Sequence, residues 1–287
     1  MNRSRALLAG AVAIAIAAAG ALAWRVAGTE AAIDGHRSAV RDAARRHLPP
    51  ARTAAANDAL PEPVRRWVAF TFPSGPVTVA WADIEMAGRF RRPRADGFAD
   101  TTARQVAAVD VPALAFDATT PIAGVLWARA FDAYVDGRMT MRASLLSALT
   151  VVDVPSSPQL DRVSLRRWLI ESPFYPAALL PGGAVRWEPV DARRARARAR
   201  LDDVEATLVA TFDDDGRMSR LDAEEDGDLD APFHGSGERV VRDDYRLVDG
   251  MMIPHRFRYA RIAAGRESPF WEGRVTAVRF GGHGAGR

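Results

Sequence analysis

The period of the hydrophobic positions changes along the chain, and each change marks an element. From Ala6 to Trp24 every residue is apolar or glycine, and no charge appears between Arg5 and Arg25. As a helix such a run spans about 29 Å, close to the hydrocarbon core of a bilayer. The next stretch, Thr29 to Leu48, reads as an amphipathic helix. Thr29 is placed to cap it, Glu30 sits in its first turn, and Arg41, Arg45 and Arg46 load its C-terminal end. Pro49-Pro50 stops it and Ala51 to Ala59 reads as a linker. Pro61-Glu62-Pro63-Val64 then opens a short helix through about Ala69.

From Val77 the period becomes two. A strand is expected from Val77 to Phe90, a second from Phe98 to Val106 and a third over Leu114 to Ala118. Val125 to Val135 and Arg138 to Ala143 form a hairpin turned by Asp136-Gly137, and Leu145 to Val154 continues as strand or irregular edge. One helix interrupts the strands. Ser164 is a candidate N-cap for Leu165 to Glu171, in which Leu165, Trp168 and Leu169 share a face. After Pro181-Gly182-Gly183 a meander is expected over Ala184 to Val190, Arg194 to Leu201, Glu205 to Phe212 and Arg217 to Ala223. An acidic loop from Glu224 to Gly237 follows, then Val240 to Val248, Met252 to Ile262 and Phe270 to Phe280. Many turns and few helices predict an α+β fold: a large curved antiparallel sheet or half-barrel with one covering helix, preceded by the N-terminal transmembrane or signal helix.

The run Arg194 to Leu201 alternates Arg and Ala up to its closing Leu. Helix propensity alone favours a helix. Alternation between two turns favours a strand, with arginines on a solvated face, paired with acids near Glu205 or Asp222 or, third, binding an anionic ligand.

Composition narrows the chemistry. The absence of cysteine excludes disulfides, thiolate catalysis and an acylated lipoprotein cysteine. All 39 basic residues are arginine, yet the net charge is only +3, so no nucleic-acid footprint is expected. The five histidines are scattered. Asp226, Asp228 and Asp230 have the opening spacing of a calcium loop, but its sixth and twelfth positions are Ala231 and Gly237. No metal site, no cofactor and no catalytic residue is therefore assigned. Among the carboxylates Glu171 stands out, because Trp168, Leu169, Ile170, Phe174 and Tyr175 surround it in sequence and apolar surroundings raise a carboxyl pKa. It either ends its helix, hydrogen-bonding a nearby loop or pairing with Arg166 or Arg167, or works as an acid, with His255 as its partner.

Several segments together resemble an uncharacterised bacterial family of unknown function over about residues 60–280. They are Leu60 to Trp67 with Glu85 to Phe90, Phe98 to Gln105, Arg167 to Glu171 with Pro176, Val185 to Glu188, and Tyr245 to Pro254 with Pro269-Phe270-Trp271. More distantly, the meander from Val185 to Leu221 and the ending around Gly250 and Pro254 are similar to the periplasmic lipoprotein-carrier half-barrel. That resemblance implies a half-open barrel closed by helices and an acyl-chain class of ligand. It carries over no residue roles.

The organisation expected is a membrane anchor or signal peptide over 1–28, a stalk helix and linker over 29–59, one β-rich domain over 60–282 and a disordered tail over 283–287. Residues 6–24 meet the membrane, as a retained single-pass anchor by their length or as a signal cleaved after Ala21 or Ala23. The short basic head before the apolar run places the body outside the cytoplasm, periplasmic or at the cell surface. The expected function is binding of a lipid or another hydrophobic small molecule, with Trp168, Glu171, Phe174, Tyr175, Trp187 and Trp271 as the ligand-contacting set. The alternatives are an envelope structural or interaction protein without ligand and, third, an acid–base enzyme using Glu171. The sequence names no protein partner.

Overall fold

The computed structural model describes residues 2–47, 58–92, 95, 97–227 and 237–282. The proline pair at 49–50, the linker as far as Asn57, most of the calcium-like loop, His234, His283 and the C-terminal tail lie outside the described residues.

The chain starts with one uninterrupted helix, α1, Asn2–Arg46. Thr29 lies inside it rather than capping a second helix, because nothing between Trp24 and Glu30 breaks the hydrogen-bond ladder: Gly28 alone costs about 1 kcal/mol against alanine. Helix α2, Glu62–Thr71, begins at Pro61 and Pro63, where a missing N–H is harmless, and buries Val64, Trp67 and Val68.

The described strands form a single antiparallel sheet of 13 strands. The N-terminal arm is β1 Trp81–Phe90, β2 Ala99–Ala108, β3 Leu114–Ala123, β4 Leu126–Val135, β5 Arg138–Leu145 and β6 Leu149–Val154. The C-terminal arm is β7 Val185–Pro189, β8 Arg194–Leu201, β9 Val204–Phe212, β10 Met218–Ala223, β11 Arg239–Val248, β12 Met251–Ala263 and β13 Arg266–Gly281. Each arm is a meander, and the two join where β1 pairs with β13. At that seam Gly88 faces Gly273, and the strands approach too closely for a side chain at either position.

The sheet is not closed: β6 and β7 are its two edges. The chain passes from one edge to the other through helix α3, Pro158–Glu171, and the 3-10 turns Ser172–Phe174 and Pro176–Leu179. Helix α3 touches β4 and β5 on one arm and β8 and β9 on the other, so the sheet curls around it. It starts earlier than the pattern predicts. Ser157 is the N-cap, accepting from the Leu160 N–H, with Pro158 in the first turn. Ser164 lies mid-helix and donates to the Leu160 carbonyl at 2.7 Å.

Two faces carry two cores. The inner face holds Ile84, Leu114, Tyr134, Leu208, Ile253 and Phe257 against Leu165, Trp168, Leu169 and Phe174. The outer face of the N-terminal arm holds a smaller cluster: Val40, Ala43 and Ala44 of α1 on Ala80, Val106, Ala108, Ala113 and Ala115. The run from Arg194 is a strand, β8. Its alanines 195, 197 and 199 are fully buried, and Arg196 and Arg198 point outward to Glu188, Glu205 and Glu224.

Candidate functional site

Three places in this fold gather charged or polar groups that packing alone does not require. The first is the dock of α1. On the sheet's outer face Arg37 reaches Asp117 of β3 at 2.5 Å, and Arg129 of β4 reaches the same carboxylate at 2.6 Å. Arg129 also pairs with Glu30 of α1 at 3.1 Å. One turn further on, Arg41 meets Asp83 of β1 at 3.0 Å, and Arg104 of β2 holds both oxygens of that carboxylate. Burial pushes the Asp83 carboxyl up, but the Arg104 hydrogen bonds and the charges of Arg104, Arg41 and Arg279 outweigh it and leave it below the usual range. Arg45 closes the series over the Trp81 ring, 5.2 Å from its centroid. The stretch read as a stalk is thus fastened to the body by side chains from three strands, β1, β3 and β4.

The second place is inside the trough. Tyr259 of β12 donates to Glu171 at 2.7 Å, and Arg242 of β11 donates to the Tyr259 hydroxyl at 2.9 Å and to the Ile170 carbonyl. Arg242 lies over the Phe174 ring as well. Nearby, Arg167 pairs with Asp132 of β4 at 2.9 Å and stacks over Phe116. All of these polar groups are buried. Burial raises the Glu171 carboxyl above the usual range, opposed by Arg167, Arg242 and the Tyr259 hydrogen bond. Burial raises Asp132 likewise, against the pull of Arg167. Gln105 of β2, 1% exposed, has no partner for either amide atom.

The third is a pair of shallow depressions on the outer face beside Gly88. One, about 430 Å³, lies over Ala87, Thr102 and Thr119; the other, about 510 Å³, over Arg256, Arg258 and Arg274. Ala87, Gly88, Arg89 and Arg274 line both.

The six residues expected to contact a ligand fall into one core but not one cluster. Trp168 and Tyr175 pack ring to ring at 6.1 Å, and the Tyr175 hydroxyl donates to the Trp168 carbonyl. Phe174 and Trp271 both meet Phe257, at 5.9 and 5.3 Å. Phe257 in turn packs on Tyr259, the partner of Glu171. Trp187 stands apart, between Trp67 and Phe212, donating to the Leu179 carbonyl. None of the six lines either outer depression. His255 bonds its own strand at the Ile253 carbonyl. Arg166 pairs with Glu238, and Arg167 with Asp132, so neither takes the predicted ion pair to Glu171 as its closest partner. Among the described residues no group of three or more His, Cys, Asp or Glu side chains is placed to hold a metal.

Sequence reasoning missed Arg242, Tyr259 and Asp132. An arginine and an aspartate at inward positions of alternating strands, Arg242 beside Val240 and Asp132 beside Tyr134, were the available signal.

Together these features define an open antiparallel-sheet protein with a helix of membrane-spanning length fixed to its outer face. The chain belongs to the family of unknown function DUF6920, whose model matches residues 58–280. No curated protein matches it.

Proposed function

We propose that this is a single-pass membrane protein whose β-rich body lies outside the cytoplasm, held in place by α1. One observation carries the reading. The apolar segment and the docked segment are one helix, and its docked part is bound to the sheet by Arg37, Arg41, Glu30 and a buried seam around Val40. A leader meant for removal has no need of a rigid continuation into the mature fold, whereas an anchor does. The short basic head formed by Arg3 and Arg5 supports an exported body.

The lack of cysteine makes the test clean. Single cysteines are introduced at Ser4 and at exposed Val190, and cells are treated with a membrane-impermeant maleimide. Labelling at 190 and protection at 4, with residues 1–24 retained in a carbonate-resistant membrane fraction, is the expected result. A soluble chain beginning at Leu22 or Trp24, or the reverse labelling, overturns it.

A second reading, binding of a lipid or another hydrophobic ligand in the trough, is favoured by one feature. The rings of Phe90, Trp271, Phe257 and Phe174 follow one another from the end of β1 to the neighbourhood of Glu171. In this reading Trp168, Glu171, Phe174, Tyr175, Trp187 and Trp271 make the walls. Mass spectrometry of extracts from the purified full chain tests it: a stoichiometric lipid supports it, and protein that is empty from every preparation assigns the trough to core and the body to structural or interaction work.

A further inference from the structure

The dock of α1 fixes the heights of β1 and β4 along the helix. On β4, Arg129 meets Glu30 and Asp136 lies 3.6 Å from Arg46. The helix rises about 24 Å between those two contacts and the strand advances about 23 Å, so the two run nearly parallel. Extending the strand back by about 13 Å puts Val125, the tip of the β3–β4 hairpin, level with Ala21 and Leu22. Strand β1 gives the same answer independently. Trp81 meets Arg45 and Asp83 meets Arg41, so Arg91 falls about 26 Å further on, level with Ala23 and Trp24. One end of the body therefore stands at the last turn of the apolar run.

The chemistry of that end fits its height. The segment from Pro121 to Trp127, Pro-Ile-Ala-Gly-Val-Leu-Trp, contains no charged side chain. Hairpin turns favour Asn, Asp and Gly, yet this one exposes Val125 at 84% and Leu126 at 43%. The turn at the other end of β4 is Asp136-Gly137. At the same end of the sheet, Phe98 is 36% exposed, with the guanidinium groups of Arg89 and Arg91 over its ring at 5.5 and 5.7 Å. An apolar tip flanked by an aromatic ring and arginines suits the boundary between acyl chains and headgroups.

We propose that the β3–β4 hairpin tip, with Phe98 and Arg91, enters the bilayer interface next to α1, giving the body a second membrane contact and one fixed orientation. This rests on the anchor reading above. The partner is a lipid surface, apolar at Val125 and Leu126 and favoured by anionic headgroups at Arg91.

The full chain is reconstituted into phosphatidylcholine vesicles, with and without phosphatidylglycerol. An environment-sensitive fluorophore is carried by Val125→Cys or, past the turn at the opposite end of β4, by Arg138→Cys at the start of β5. The probe at 125 is expected to be quenched several-fold more than the probe at 138 by a lipid bearing a nitroxide near its headgroup, and to be shielded from iodide. Phosphatidylglycerol strengthens that contrast. Protein that floats with the vesicles while both probes respond alike overturns the second contact and leaves the anchor standing. Protein that does not float overturns the anchor and this proposal with it. Both substitutions are at exposed or turn-flanking positions, and a wild-type thermal transition verifies the fold of each labelled chain.

Discussion

Arg37 of α1 and Asp117 of β3, 80 residues apart, meet at 2.5 Å on the sheet's outer face. Asp117 also holds Arg129, so one nearly buried carboxylate ties the helix to two strands. Removing one partner of such a pair strands the others in a poor solvent. Asp117→Asn is expected to cost about 3 kcal/mol in denaturant unfolding. It is also expected to speed amide exchange over residues 30–46. Unchanged exchange there would show that the apolar seam around Val40 holds the helix without the ion pairs.

Asp83 gives the dock an acid sensitivity. Its carboxyl titrates lower in the folded protein than in the unfolded chain, so its stabilisation is present above the unfolded value and fades as pH falls below about 4. Asp83→Asn should lower stability at neutral pH and flatten the acid limb of the stability curve. A parallel downward shift at all pH values would assign the loss to packing instead.

Glu171 has the opposite sign. Its folded value is raised, so below about pH 4 the acid is protonated in both states and costs nothing. As pH rises, the unfolded chain sheds the proton first, and stability falls until the folded group also ionises. Glu171→Gln keeps an acceptor for Tyr259 and removes that fall. The urea midpoints of the two proteins should coincide near pH 4 and separate toward neutral pH, with the variant higher. A variant that is weaker at neutral pH would mean that Arg242 and Arg167 need the negative charge.

Gly88→Ala tests the seam. A Cβ there would collide with the Glu272 carbonyl and the Gly273 Cα, both backbone atoms that cannot swing aside. Overpacking of this kind costs about 1–3 kcal/mol, and the loss should appear in the urea midpoint. Gly35→Ala, with open space around it on α1, is the control expected to be neutral or stabilising.

The strands are legible because their periods are local. Val125 to Val135 falls within a residue of β4, and the turns around the Arg-Ala alternation mark it as a strand. The differences have physical causes. β3 runs on to Ala123, past Pro121, at an end where β2 no longer pairs with it and a proline is tolerated. Residues 145–154 do not make one strand, because Leu146 and Ser147, both at positive φ, form a turn that neither residue advertises. The first strand begins at Trp81 rather than Val77, since its partners on β2 and β13 reach no further. The site is less legible. Glu171 draws notice through its neighbours in sequence, whereas Arg242 and Tyr259 lie 72 and 88 residues from their α3 partners, and only the curl of the sheet brings them there.

The place of β13 gives synthesis a direction that matters. Each arm is a meander built from neighbours in sequence, and each can begin pairing as it emerges from the ribosome. β1, formed near the start, waits with one open edge until the final strand arrives to cover it. β13 is thus the joining step: without it the two arms are separate sheets with bare edges open to proteolysis or aggregation, and with it they become a single sheet.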